Sequence, residues 1–215
     1  MAAYLVLTQL EAYLPETDGR AHPVWYPLCY AAKFAITAAL AWLFRANWSD
    51  FRAHFSWQGI GLGVAVGVFV TLAWVGLDGR YPAIPLLGSR SAFDPRSITN
   101  FAARVGYVLV RGLGLVVLVP LIEELFWRSF LMRFVIDPDD FRRVPIGRVT
   151  WLAGAVTAVL FALAHPEWLP ALLTGAAWAL LLHHTKSLAA CLASHVTANL
   201  LLICYTIATN SWRFV

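Results

Sequence analysis

The strongest constraint on this chain is a series of apolar stretches with very few charges inside them. They run from Val24 to Phe44, Gly59 to Leu77, Phe101 to about Val135, Thr150 to His165, Trp168 to Leu182 and Leu188 to Ala208. A helix needs about 20 apolar residues to cross the hydrocarbon layer of a membrane. Inside that layer every backbone N–H and C=O must be satisfied within the protein, which favours helices. A soluble bundle would need polar faces on its helices, and these are mostly missing. Only 13% of the residues are charged and 60% are hydrophobic, against about 25% charged in a soluble domain. The expected fold is an all-α, polytopic transmembrane helix bundle, with about six full spans plus a short N-terminal hydrophobic helix.

The segments between these stretches carry turn chemistry: Asp78-Gly79, Tyr81-Pro82, Asp94-Pro95 and Asp137-Pro138. Tryptophans such as Trp48, Trp57, Trp151, Trp168 and Trp212 fall near stretch ends, where an aromatic belt would place them. Alternating the loops puts Arg45, Arg52, Arg133, Arg142, Arg143, Arg148 and Lys186 on one side, and Arg20, Arg80, Arg90, Arg96 and Arg213 on the other. The first set is larger, so that side is expected to be cytoplasmic. The net charge of +4 is read as orientation and contact with anionic headgroups of the bilayer. No basic run interleaves with exposed aromatics, so no nucleic-acid partner is expected. Cys29, Cys191 and Cys204 lie in apolar stretches and make no disulfide framework. The opening MAAYLVLTQLEAYLPE lacks a basic start and a cleavage site, and reads as a short interfacial helix or the tail of a span. The expected organisation is N-terminal membrane helices and loops over residues 1–100, a helix core over 101–209 and a tail over 210–215.

Ionisable groups inside a span are costly and functional by default. Lys33, inside the first stretch, is expected to face protein or to snorkel. The third stretch carries Arg111 early and then PLIEELFWRSF. If Arg111 snorkels to an interface, Glu123 lies ~17 Å further in, near the bilayer centre. Adjacent helical residues point about 100° apart, so Glu123 and Glu124 cannot share a face. Glu124 and Arg128, at i and i+4, are placed for an ion pair. Glu123 has Trp127 at that spacing instead. Its partner must come from another helix, or it is protonated, or it does chemistry.

His165 closes the fourth stretch, one turn after Phe161 and directly before Pro166. In the sixth stretch His195 and Asn199 share a face at i and i+4. Entering near Leu188, they reach ~10 and ~17 Å depth, so Asn199 can lie level with Glu123. Each feature alone also suits a helix cap or a polar clamp between helices. Together they bring a carboxylate, an imidazole, and an imidazole with an amide inward. A carboxylate beside an imidazole can hold and deprotonate water, and a second imidazole with an amide can stabilise an oxyanion. That is an inventory for water attack on a carbonyl.

The three motifs are EELFWR over Glu123 to Arg128, FALAH over Phe161 to His165, and HVTAN over His195 to Asn199. In this order, each on an apolar segment, they resemble the EExxxR, FxxxH and HxxxN motifs of the CPBP family, the CAAX prenyl proteases and their bacterial relatives linked to bacteriocin processing. The wording VFVTLAWVGLDGRYP and EELFWRSF looks like the bacterial CAAX prenyl protease-related subgroup found alongside exosortase systems. The resemblance spans Phe101 to Ala208. It implies an intramembrane endopeptidase acting on a membrane-associated protein or peptide. It assigns water activation to Glu123 with help from His165, and the oxyanion hole to His195 and Asn199. Glu124, Arg128 and Phe161 would support the site. It also implies no cofactor, a bacterial inner-membrane location and a functional link to an exosortase-type system.

Two other readings stand beside it. Glu123, His165 and His195 could bind zinc as two imidazoles and a carboxylate, although no HExxH occurs. A transporter or scaffold could use Glu123 as a proton relay, although no inverted repeat is visible.

Overall fold

The computed structural model describes residues 1–17, 20–88 and 93–214; Arg90, counted above among the loop charges, lies outside them. Each of the six apolar stretches forms a helix. After α1 (Ala2–Leu10) and a hairpin of two-residue strands, β1 (Glu16–Thr17) and β2 (Arg20–Ala21), come α2 (Trp25–Leu43) and α3 (Trp57–Leu77). Next is the long α4 (Phe101–Ile136), then α5 (Trp151–Leu163), α6 (Trp168–Thr185) and α7 (Leu188–Thr209). The fold is an all-α membrane bundle. Side chains set the helix starts: Ser56, Asn100 and Thr150 accept from the backbone N–H of Gly59, Ala103 and Ala153, satisfying donors that a first turn leaves open.

Four helices, α2, α3, α4 and α7, are long and apolar enough to cross a membrane. Their outer faces carry exposed apolar side chains such as Phe69, Leu72, Leu109 and Ile207, as lipid contact requires. α5 is shorter than expected at 13 residues. That is ~20 Å, about two-thirds of a ~30 Å hydrocarbon layer, so a helix entering at one face ends inside.

The closest helix pairing is α3 against α7, and glycine makes it possible. A Cβ on Gly63 would run into the Ala190 carbonyl, and one on Gly67 into the Ser194 carbonyl. Small residues let backbones approach where no hydrophobic force separates helix from lipid. One turn on, the Thr71 hydroxyl bonds the carbonyls of Gly67 at 3.0 Å and Ala198 at 3.4 Å. The stripe thus sets the axial position of α7. α5 and α6 form an antiparallel pair in which Gly175 sits close to Ala158.

Loop contacts sort into the two ends expected from alternation. At one end Asp50, before α3, accepts from Arg133 at 3.0 Å, and Gly147 lies against Lys186. At the other, Trp168 donates to the Pro82 carbonyl at 2.9 Å.

Lys33 faces protein, bonding Glu11 at 2.6 Å under the rings of Tyr4 and Tyr30. Arg111 does not snorkel. Its Nη1 donates to the Tyr26 hydroxyl at 3.3 Å, and its guanidinium lies 4.5 Å from the Tyr30 ring. The reason is non-local: α2 offers a guanidinium both a phenol and an aromatic face.

Candidate active site

Two π-helical segments, Gly114–Leu118 and Leu125–Leu131, interrupt α4. Between them the α-helical turn Val119–Glu124 carries both acids. A π turn inserts a residue without advancing the helix by a full step, and such insertions cluster at functional sites. Both glutamates are buried, Glu124 fully.

Glu124 makes the ion pair that its spacing implies, and a second contact besides. Its Oε1 accepts from Arg128 Nη1 at 3.3 Å and from His195 Nδ1 at 2.9 Å. The Arg128 guanidinium rests 4.9 Å from the Phe161 ring and 4.7 Å from the Trp178 ring, so ring faces replace much of the hydration it gives up. Phe161 is therefore a wall for the cation.

His195 is held on two sides. Its Nδ1–H points at Glu124, and its ring lies against Trp178 with centroids 4.3 Å apart and planes tilted by 33°. The indole N–H of Trp178 in turn donates to the Ser194 hydroxyl at 2.8 Å. The commitment of Nδ1 leaves Nε2 for other partners. A neutral ring presents Nε2 as an acceptor, and a doubly protonated ring presents it as a donor.

His165 does not close its helix, as the sequence suggests. α5 ends at Leu163, and His165 stands in the turn to α6, because Pro166 disfavours helical geometry in the residue before it. The ring folds back so that Nδ1 lies 2.7 Å from the Phe161 carbonyl. A carbonyl only accepts, so Nδ1 carries the proton and the neutral ring has its lone pair on Nε2. Phe161 packs against this ring at 4.4 Å and Trp74 meets it edge-on at 6.1 Å. Trp74 is fixed by its N–H bond to the Thr174 hydroxyl, 2.9 Å.

Asn199 reaches across to α4. Its Nδ2 donates to the Leu115 carbonyl at 2.7 Å, inside the first π segment. The amide keeps a second N–H and its oxygen for other partners.

Glu123, His165, His195 and Asn199 all line one internal cavity of about 800 Å³. Trp74, Trp178 and Ser194 were not singled out from sequence. For Trp178 the available signal was its place near the middle of an apolar stretch, where an indole N–H needs an internal partner. Among the described residues no three His, Cys, Asp or Glu side chains are grouped as a metal site would need.

A bundle with four helices long and apolar enough to cross a membrane, which turns a carboxylate, two imidazoles and an amide toward one cavity, belongs with the integral membrane proteins. Residues 105–201 match the model of the family described as Rce1-like, Type II CAAX prenyl endopeptidase Rce1-like, and over that span the chain is similar to this CAAX protease family. The span holds all four cavity residues and their Glu124, Arg128 and Phe161 supports. No curated protein and no solved structure matches the chain.

Proposed function

We propose that the protein is a glutamate-dependent intramembrane endopeptidase that cleaves a membrane-associated protein or peptide without a covalent intermediate. The observation that carries this reading is the convergence of Glu123, His165, His195 and Asn199, from α4, the α5–α6 turn and α7, on one cavity. Glu123 acts as general base toward a water. His165 assists through Nε2, the nitrogen left with a lone pair when Nδ1 donates to Phe161. As the water attacks the scissile carbonyl, charge builds on its oxygen. Asn199 offers its second N–H there, and His195 offers Nε2–H in its doubly protonated form. Glu124 and Arg128 hold His195 and the α4 turn in place.

In this reading residues 101–209 form the catalytic core, 1–100 supply the helices that frame it, and 210–215 form a tail. The larger basic side faces the cytoplasm of a bacterium, in keeping with the CAAX prenyl protease-related subgroup and its exosortase link. No metal takes part.

The test is co-expression of wild-type and Glu123→Gln proteins in the native host, with membrane-protein termini compared by mass spectrometry. Termini present with wild type and absent with Glu123→Gln are expected. Identical termini would remove the peptidase reading, and cleavage lost to chelators and restored by zinc would replace it with a metalloprotease.

A further inference from the structure

Four residues of α4 line the cavity at intervals of four: Arg111, Leu115, Val119 and Glu123. In a straight α-helix each such step drifts about 40°, so Arg111 and Glu123 would point ~120° apart. The π segment Gly114–Leu118 lies between them. Its inserted residue removes most of that drift and brings the guanidinium onto the cavity face of the glutamate. The two stay apart along the axis, by ~18 Å at α-helical rise.

Among the described residues no acid pairs with Arg111. Among the described residues its neighbours are phenols: the Tyr26 hydroxyl accepts from it, Tyr30 offers both its hydroxyl and its ring face, and Tyr107 and Tyr4 lie near. The acids lining the cavity do not serve it: Glu11 is taken by Lys33 at 2.6 Å, Glu16 is exposed, and Glu123 lies at the far end. An arginine in a span normally pairs with an acid or marks the path of a ligand. A guanidinium partnered by two phenols, with no carboxylate beside it among the described residues, suits a planar monoanion bound through two parallel bonds.

We infer that Arg111, with Tyr26 beside it, is a carboxylate-binding subsite that sets which peptides enter the cavity. The inference rests on the peptidase reading. An extended chain covers ~3.3 Å per residue, so the separation corresponds to about five residues between the bond cut at Glu123 and the carboxylate held at Arg111. The carboxylate comes from a peptide C-terminus or from an Asp or Glu side chain, and the two are separable by experiment.

Binding is measured with the full-length Glu123→Gln protein in nanodiscs of neutral lipid, so that no turnover is needed. The probe is a fluorescent Ala/Leu peptide of about ten residues in three forms: C-terminal acid, C-terminal amide, and amide with one Glu placed mid-chain. At least one acid-bearing form is expected to bind about tenfold more tightly than the plain amide. The form that gains names the source of the carboxylate. Adding Arg111→Gln should erase the preference, and Arg111→Lys, which keeps the charge but not the fork, should leave a smaller one. Tyr26→Phe should weaken it while leaving the fold intact. Equal binding of all three peptides overturns the inference, as does a preference that survives Arg111→Gln. Displacement of the acid peptide by phosphatidylglycerol in the nanodisc overturns it in favour of a lipid-phosphate site. Wild-type cleavage of the same peptides is scored separately. Binding preference without cleavage counts against the peptidase reading, and cleavage without preference counts against the subsite.

Discussion

His195 Nδ1 and Arg128 Nη1 meet on a single oxygen, Oε1 of Glu124, at 2.9 and 3.3 Å. α4 and α7 are thereby joined at a fully buried point, 71 residues apart in sequence. The acid that its helical spacing assigns to structure therefore also orients a side chain of the proposed oxyanion hole, and its removal has two separable effects.

Glu124→Ala should destabilise the protein by about 3–5 kcal/mol, because Arg128 would remain buried without its counter-charge. Replacing both residues, with Glu124→Met and Arg128→Leu, should recover much of the stability but not the activity, since His195 would still lack its acceptor. Thermal unfolding in detergent, run beside a cleavage assay, separates the two effects. Equal stability of the single and double variants would argue against the buried-charge account.

Asn199→Ala should lower kcat by roughly 10²-fold if the amide stabilises an oxyanion. It also removes the bond to the Leu115 carbonyl, so a moderate stability loss of about 1 kcal/mol should accompany it. A rise in KM with unchanged kcat would place Asn199 in substrate binding instead.

Trp178→Phe keeps an aromatic face against Arg128 and His195 but deletes the N–H that reaches Ser194. The variant should fold with a cost of about 1–3 kcal/mol for the abandoned buried hydroxyl. It should lose more kcat than KM because the His195 ring is less well fixed. Ser194→Ala in the same background should restore stability, since both partners are then absent.

Gly63→Val should prevent α3 and α7 from closing, because the first added carbon already meets the Ala190 carbonyl. Gly61→Val, two residues away with no heavy atom within 4 Å of its added Cβ, is the matched control and should behave as wild type. Protease resistance of the purified proteins distinguishes them. Comparable resistance would show that the helix pair tolerates a wider gap.

What could be read from sequence was local. The different directions of Glu123 and Glu124 and the ion pair to Arg128 follow from helix geometry, and the glycines of GIGLGVAVGV are a local signature of close helix packing. What could not be read depended on distant chain. Arg111 stays inside because Tyr26 and Tyr30 lie on another helix. The π segments have no residue signature of their own, yet they decide which α4 side chains share a face. The end of α5 at Leu163 moves His165 from a helix into a turn, a shift of two residues that sequence boundaries do not resolve.

The α3 stripe also has a temporal meaning. Thr71 and its acceptor Ala198 are 127 residues apart, so during synthesis the glycine groove enters the membrane long before the helix that fills it. Until α7 arrives, His195 and Asn199 are absent, and the first π turn of α4 rests on Tyr30 and Phe34 of α2 without the Asn199 bond to Leu115. With His195 and Asn199 in the roles proposed for them, a protein assembled in this order stays inert until α7 docks.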